Sequence, residues 1–275
     1  MLEKGLVTKI LEFVRQKPRT VQEIAFLLEK NWRTADRYVE QIAQETGQIA
    51  VRIFREGSRG ALKVVYWSAL EAGKGPAYQE MLLQRILTGR KKEDFSPFDI
   101  YQFVPEDKRR ADIEMNEFHS KLLQRYLELI KEAKQQVLFF SGNLSWMDGA
   151  PEIVRTFEEL LKKKISLKIL TRVDITSKDN TEKLLQLNHR LGWDGVSVRH
   201  CEQPLRVTII DDQVAHMKEV LSPTITRELK EKTILLYEIH DYEWVMWLQK
   251  VFWHMWGQSV EAEMRLKALE SLQKH

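Results

Sequence analysis

Cysteine is nearly missing from this chain: Cys201 is the only one in 275 residues. No disulfide can close within one chain, which excludes a stapled secreted scaffold and fits a reducing, cytoplasmic setting. A lone thiol of this kind reads as a half-buried packing group rather than a nucleophile. Long apolar runs are missing too. The most apolar stretch, DYEWVMWLQKVFWHMW, is broken by Gln249, Lys250 and His254, so it reads as a core helix and not as a membrane span. MLEKGLVTKILEFVRQ has early charges and helical spacing, unlike a secretory leader. There is no internal repeat and no low-complexity tract. His240, Asp241 and His254 share no metal-ligand spacing with another His or Cys, so neither a structural zinc nor a cofactor is expected. A strong charge of either sign is also lacking, since the net charge is +3.

Hydrophobic residues make up 43% of the chain, enough for packed cores and too many for wholesale disorder. The length suits two domains or one large one. Charge is unevenly spread. Residues 1–70 hold twelve Lys and Arg against eight Asp and Glu, so the rest is close to neutral.

Those first 70 residues parse into three helices and a hairpin. Leu6, Val7, Ile10, Leu11 and Val14 mark one face of a helix over 3–16, ended by Pro18. Thr20 and Glu23 have the spacing of a capping box for a second helix. A third helix buries Ala35, Tyr38, Val39 and Ile42, with Thr34 at its start and Gly47 closing it. QIAVRIFRE and ALKVVYW are strands joined by the turn GSRG. This order resembles the winged helix-turn-helix domains of prokaryotic regulators, which implies a DNA-binding domain over 1–70.

Residues 71–134 read as a connector and candidate dimerisation segment. A helix covers about 77–88, and the aromatic stretch FSPFDIYQFVPED suggests packing rather than a free linker. A long helix is expected over 109–134, with Phe118, Leu122, Tyr126 and Ile130 as its ridge. From 135 to 275 strands and helices alternate, which predicts a layered α/β domain with a mostly parallel or mixed sheet.

Within that domain, PLRVTIIDDQVAHM reads as a strand, an acidic turn and a return strand. Phospholipase D superfamily enzymes carry His-x-Lys on a strand with an Asp at its end. The resemblance sets Arg206 at the Lys position, Asp211 at the Asp position and Pro204 where the nucleophilic His should be. Proline has no nucleophilic side chain, so covalent catalysis cannot start there. His200 and His216 are the displaced candidates that a phosphodiesterase or nuclease reading would need. With the strand ending in SGN and the D-Y-E-W…F-W-H-M-W helix, the chain resembles archaeal TrmB-type regulators. That likeness implies a winged helix joined to a phospholipase D-like mixed-sheet domain that has lost catalysis and serves effector sensing or dimerisation.

Two readings of Arg206 and Asp211 stand side by side. They form an ion pair at a hairpin end, or they belong to a pocket for an anion or a sugar, with Ser141, Asn143 and Arg172 at neighbouring strand ends. For double-stranded DNA the candidates are Arg33, Arg37, Gln41 and Gln44 on the outer face of helix three. Lys30 and Trp32 precede that helix, and Arg52, Arg55, Arg59 and Lys63 lie around the wing. The alternatives are a protein-interaction adaptor and an architectural DNA coater. A homodimer is expected, because a small domain needs two half-sites to bind well; no membrane partner is expected.

Overall fold

A computed structural model describes residues 2–55, 61–68, 76–114, 121–221 and 233–273. Helix α1 (Lys4–Gln16) is followed by the two-residue strand β1 (Arg19–Thr20) and helix α2 (Val21–Leu27). The capping box forms: the Glu23 amide donates to Thr20 Oγ1 at 3.1 Å, and the Thr20 amide donates to the Glu23 carboxylate at 2.8 Å. Helix α3 (Trp32–Thr46) is capped by Asn31, whose Oδ1 accepts from the Thr34 amide, so Thr34 sits in the first turn. Gly47 ends α3 at φ 63°, a left-handed conformation that glycine enters without steric cost. Strands β2 (Ile49–Arg55) and β3 (Ala61–Trp67) complete an antiparallel sheet of order β1-β3-β2. Ile10, Val14, Ile24, Val39, Ile42 and Val65 form the core between helices and sheet. Each such aliphatic side chain contributes roughly 2 kcal/mol on burial.

The other face of the hairpin is not left to solvent. Phe54 of β2 packs edge-on against Phe98 and Tyr237, with centroids 6.2 Å apart in both cases. Phe98 belongs to the connector, which runs through α4 (Pro76–Thr88), a 3-10 turn at Lys92–Asp94, the short helix α5 (Phe98–Tyr101) and a second 3-10 turn at Glu106–Lys108. Phe95, Phe98, Ile100 and Tyr101 are all buried, as its aromatic composition suggests.

The single helix expected over 109–134 does not form. Arg109–Glu114 is instead a strand, β4, and only Lys121–Lys131 is helical, α6. Phe118, part of the expected ridge, lies outside the described residues. Strand β4 pairs antiparallel with a strand far along the chain, β10 (Thr233–Ile239), from Glu114↔Ile234 to Arg109↔Ile239. Its side chains alternate as a strand requires: Ala111 and Ile113 turn to the core, while Arg110 and Asp112 pair on the opposite side at 2.7 Å.

The remaining elements follow in the expected alternation. They are β5 (Gln136–Phe140), α7 (Trp146–Gly149), α8 (Pro151–Lys162), β6 (Ser166–Thr171), α9 (Lys178–Leu191) and β7 (Val196–His200). Then come β8 (Val207–Ile210), β9 (Val214–Leu221), β10, α10 (Tyr242–Gln258), β11 (Val260–Glu261) and α11 (Ala262–Gln273). They build one mixed sheet of order β11-β7-β6-β5-β8-β9-β10-β4, in which only β5, β6 and β7 run parallel. One face, with Phe140, Val207, Met217 and Tyr237, lies under α10 and the connector. The other, with Val137, Ile169 and Val198, packs against α6, α8, α9 and α11. Among the described residues no helix is long and apolar enough to cross a membrane.

Candidate functional site

Strand alternation decides which side chains of β8 and β9 share a face. Thr208 pairs with Phe139 on one side and His216 on the other, and His216 pairs in turn with Glu238. One step along, the Lys218 amide donates to the Arg206 carbonyl at 2.8 Å, extending the ladder past the strand's formal end. Phe139, Thr208, His216, Arg206 and Lys218 therefore form one surface. Helices α6 and α8 flank it, and the space between is a cavity of about 470 Å³, within the usual range for small-molecule sites.

Arg206, Arg172, Ser141 and Asn143 all line this cavity, and Asp211 does not. Asp211 lies beyond the far end of β8, in a turn where it adopts φ 48°. Its carboxylate accepts the amides of Lys134, Gln135 and Gln136 at 2.7, 3.0 and 2.9 Å. These bonds tie the start of β5 to the β8–β9 turn. The Arg206–Asp211 ion pair does not form, because four extended residues separate the two ends of the strand. Asp211 is thus a backbone anchor, and both readings of it as a partner of Arg206 are corrected.

Arg206 is enclosed. Its Nη1 donates to the Leu205 carbonyl at 2.6 Å, and its guanidinium lies so close to Gly142 that a β-carbon there would come within 2.5 Å of Nη2. Among the described residues no carboxylate pairs with it. Burial and then the like charge of Arg172 lower its pKa to about 10, with Glu93 opposing. Arg172 is more open and pairs with Asp174 at 2.8 Å. Ser141 is buried, and its Oγ accepts from Trp146 Nε1 at 3.1 Å, fixing that indole in the wall. Asn143 Oδ1 accepts from the Ser145 amide.

Of the other lining residues, only His216 is singled out by the sequence as a candidate for chemistry. Tyr126 Oη and Thr208 Oγ1 share a hydrogen bond of 2.7 Å, and the Tyr126 ring lies tilted against His216 at 4.8 Å. Burial pushes the His216 imidazole down to about pH 4, so it is neutral at pH 7. Trp146, Phe157 and Phe139 make a continuous aromatic wall, with neighbouring centroids 5.5 and 5.0 Å apart. The connector supplies Arg90, Lys91, Lys92 and Glu93 to the rim. The alternation of Arg206 with Thr208 was visible in the sequence; the return of a segment more than a hundred residues earlier was not. His200 stands apart. Its Nδ1 accepts from the Val173 amide at 2.9 Å, and it does not line the cavity.

Position 204 has a packing role. Pro204 is buried, and a β-carbon on Gly89 would meet its Cγ at 2.8 Å. Pro204 is thus pressed against the connector.

The second candidate surface is α3. Ala35, Val39 and Ile42 are fully buried, Tyr38 is partly so, and Arg33, Arg37 and Gln44 are exposed on the opposite side. At 100° per residue those three fall within about 40° of one another. Gln41 is turned aside to Glu45 by a hydrogen bond of 2.7 Å. Trp32 is 46% exposed at the helix start, and Lys30 is exposed just before it. Two wing candidates take other roles. Lys63 binds Asp36 at 2.6 Å and Glu40 at 3.2 Å, offsetting one of the two negative charges beside the arginine face. Arg52 shares the inward parity of Phe54 and donates to Tyr101 Oη at 3.2 Å, so it faces the connector and not solvent. The Arg55 side chain and all of Arg59 lie outside the described residues.

No protein-family model matches the chain, and no curated protein matches it in sequence. Among solved structures, NucT from Helicobacter pylori is similar at 13% identity and TM-score 0.43, over 56% of this chain and 99% of that one. Nuc from Salmonella typhimurium, a phospholipase D family member, is similar at 13% identity and TM-score 0.41, over 56% and 98%. TrmBL2, an archaeal chromatin protein, is similar at 14% identity and TM-score 0.41, over 94% of both chains. Identities and scores this low carry no functional argument, so the chain's own residues must supply one.

Proposed function

We propose that this chain is a DNA-binding transcriptional regulator. It acts as a dimer, through an N-terminal winged helix over residues 1–70, and its α/β unit is a non-catalytic effector-binding module. The observation that carries the reading is α3: one face is buried in the core, and the opposite face presents Arg33, Arg37 and Gln44 to solvent. Arginine bonds guanine bidentately, and glutamine bonds adenine. Lys30, at the start of the helix, is a phosphate contact. The buried proline at 204 supports the absence of hydrolysis, since no lone pair is available there to attack phosphorus.

The test is duplex binding across a salt series, against a library of sequences. Arg37→Ala is expected to cost about 1–3 kcal/mol and to relax preference at one base position. Lys30→Ala is expected to weaken all sequences alike and to lower the salt slope by about one. Unchanged binding in both variants removes this surface. Sedimentation with a two-half-site duplex tests the dimer.

A second reading is favoured by one observation: His216, a neutral imidazole, lines the same cavity as Arg206. It makes the chain a phosphodiesterase. Release of nitrophenol from bis(4-nitrophenyl) phosphate, lost in His216→Ala, would establish it.

A further inference from the structure

The cavity poses a charge problem. Arg206 is enclosed, repelled by Arg172 and unpaired with any carboxylate among the described residues. Burying a charge without a counter-charge is costly. Lys91 and Lys92 face the same space from the connector, where Lys92 pairs with Glu93 at 3.8 Å; among the described lining residues the carboxylates are Glu93 and Glu114, against Arg90, Lys91, Lys92, Arg172, Arg206 and Lys218. A neutral polyol would leave this excess standing. Elsewhere the lining changes character, to the aromatic wall of Trp146, Phe157 and Phe139.

The same place is joined mechanically to the N-terminal unit. Arg206 lies in the segment that leads into β8, and Pro204 of that segment abuts Gly89. Arg90 Nη1 reaches the Glu202 carbonyl at 3.4 Å, adding a second link between the two segments. The Asp94 carboxylate holds the Arg90 and Lys91 amides at 2.8 and 2.9 Å, so residues 89–94 form one compact turn. On its outer side that turn meets the N-terminal unit: Lys17 Nζ, just after α1, donates to the Glu93 carbonyl at 2.7 Å.

We infer that the cavity binds a small amphiphilic anion, a phosphate monoester with a flat apolar body, and that its head couples Arg206 to the 89–94 turn and through Lys17 to the DNA-binding unit. The head sits between Arg206 and Lys91–Lys92, and the body lies against Trp146 and Phe157. Removing the unpaired charge by binding changes how the 202–206 segment holds the turn, and so the setting of α1. The coupling half rests on the regulator reading above; the ligand class does not.

The test uses the full chain and 1-naphthyl phosphate as probe, with inorganic phosphate, 1-naphthol and a neutral disaccharide as comparators. Tryptophan fluorescence titration is expected to show 1-naphthyl phosphate binding at least tenfold tighter than any comparator. Arg206→Met should lose tenfold or more of that affinity. It should also melt no lower than the parent without ligand, because it removes an unpaired buried charge; Arg206→Lys, which keeps the charge but not the fork, provides a second folded variant. Equal binding of the disaccharide, or full affinity in both Arg206 variants, overturns the ligand class.

For the coupling, 1-naphthyl phosphate should shift duplex affinity severalfold in the parent and not in Lys17→Met, while Lys17→Met still binds the probe normally. A shift that persists in Lys17→Met overturns the route. Probe binding in a protein with no duplex affinity sinks the regulator reading and the coupling, but keeps the ligand class. Release of naphthol overturns the non-catalytic reading and the inference together.

Discussion

Asp211 shows how a charged residue at a strand end can be read for one role and fill another. Its three backbone hydrogen bonds make it an anchor between β5 and the β8–β9 turn. Asp211→Ala should therefore cost about 2 kcal/mol or more in urea unfolding and leave probe binding in the cavity nearly intact. Two other single groups set opposite pH responses. Glu219 accepts from Ser96 Oγ and Tyr237 Oη, and burial still pushes its pKa up to about 7, from an ordinary 4.5. Between those values the folded chain keeps a proton that the unfolded chain has released, so stability falls as pH rises through that window. His216 works the other way. Its folded pKa near 4 lies below the ordinary 6.5, so between the two the unfolded chain takes up a proton that the folded chain refuses. Stability is then lost as pH falls. Glu219→Gln should gain up to about 3 kcal/mol over the parent at pH 8 relative to pH 4, read from urea midpoints at the two pH values. An unchanged difference would show that the carboxyl is not held protonated.

Among elements, α3 and β3 act as a pair. Lys63 of β3 offsets part of the negative charge of Asp36 and Glu40 beside the arginine face. Lys63→Ala should weaken duplex binding although Lys63 itself is turned away to the acids, and Asp36→Asn with Glu40→Gln in that background should restore it. If the double change gives no rescue, Lys63 contacts DNA directly. The elements also show where a sequence can be read and where it cannot. Helices α1 to α3, their capping box and Gly47 were legible because each is decided within a few residues. The alternation from β5 to β10 was legible for the same reason. Strand β4 was not. Its residues RRADIE have no strong strand preference, and the periodic ridge of α6 invited the helix to be drawn backwards through them. What makes β4 a strand is the free edge of β10, about 120 residues later. Arg52 failed likewise: its parity with Phe54 was visible, but not which face of the hairpin would meet Tyr101.

On the scale of the whole molecule, the contact between hairpin, connector and sheet is the structural joint. Arg52 and Arg109 both lie over the Tyr101 ring, at 5.1 and 5.0 Å, and Tyr101 packs on Tyr237 of β10. Each such cation–π contact is worth about 0.5–2 kcal/mol. Arg52→Ala should speed hydrogen exchange of β2 and α5 amides while leaving β6 and β7 unchanged. Uniform protection would mean that the joint is held elsewhere. The cavity was only half legible at this scale. Ser141, Asn143, Arg172 and Arg206 were foreseeable from strand ends and His216 from its place on the return strand, whereas Tyr126 and the 90–93 rim are gathered by tertiary packing alone.

The wedge of Pro204 against Gly89 limits what both positions can hold. Any side chain at 89 would run into the Pro204 ring, and a larger ring at 204 would have to turn away from the 89–94 turn, losing the stiff φ of proline together with the contact. The two sites can therefore change only in concert, like the two leaves of one hinge.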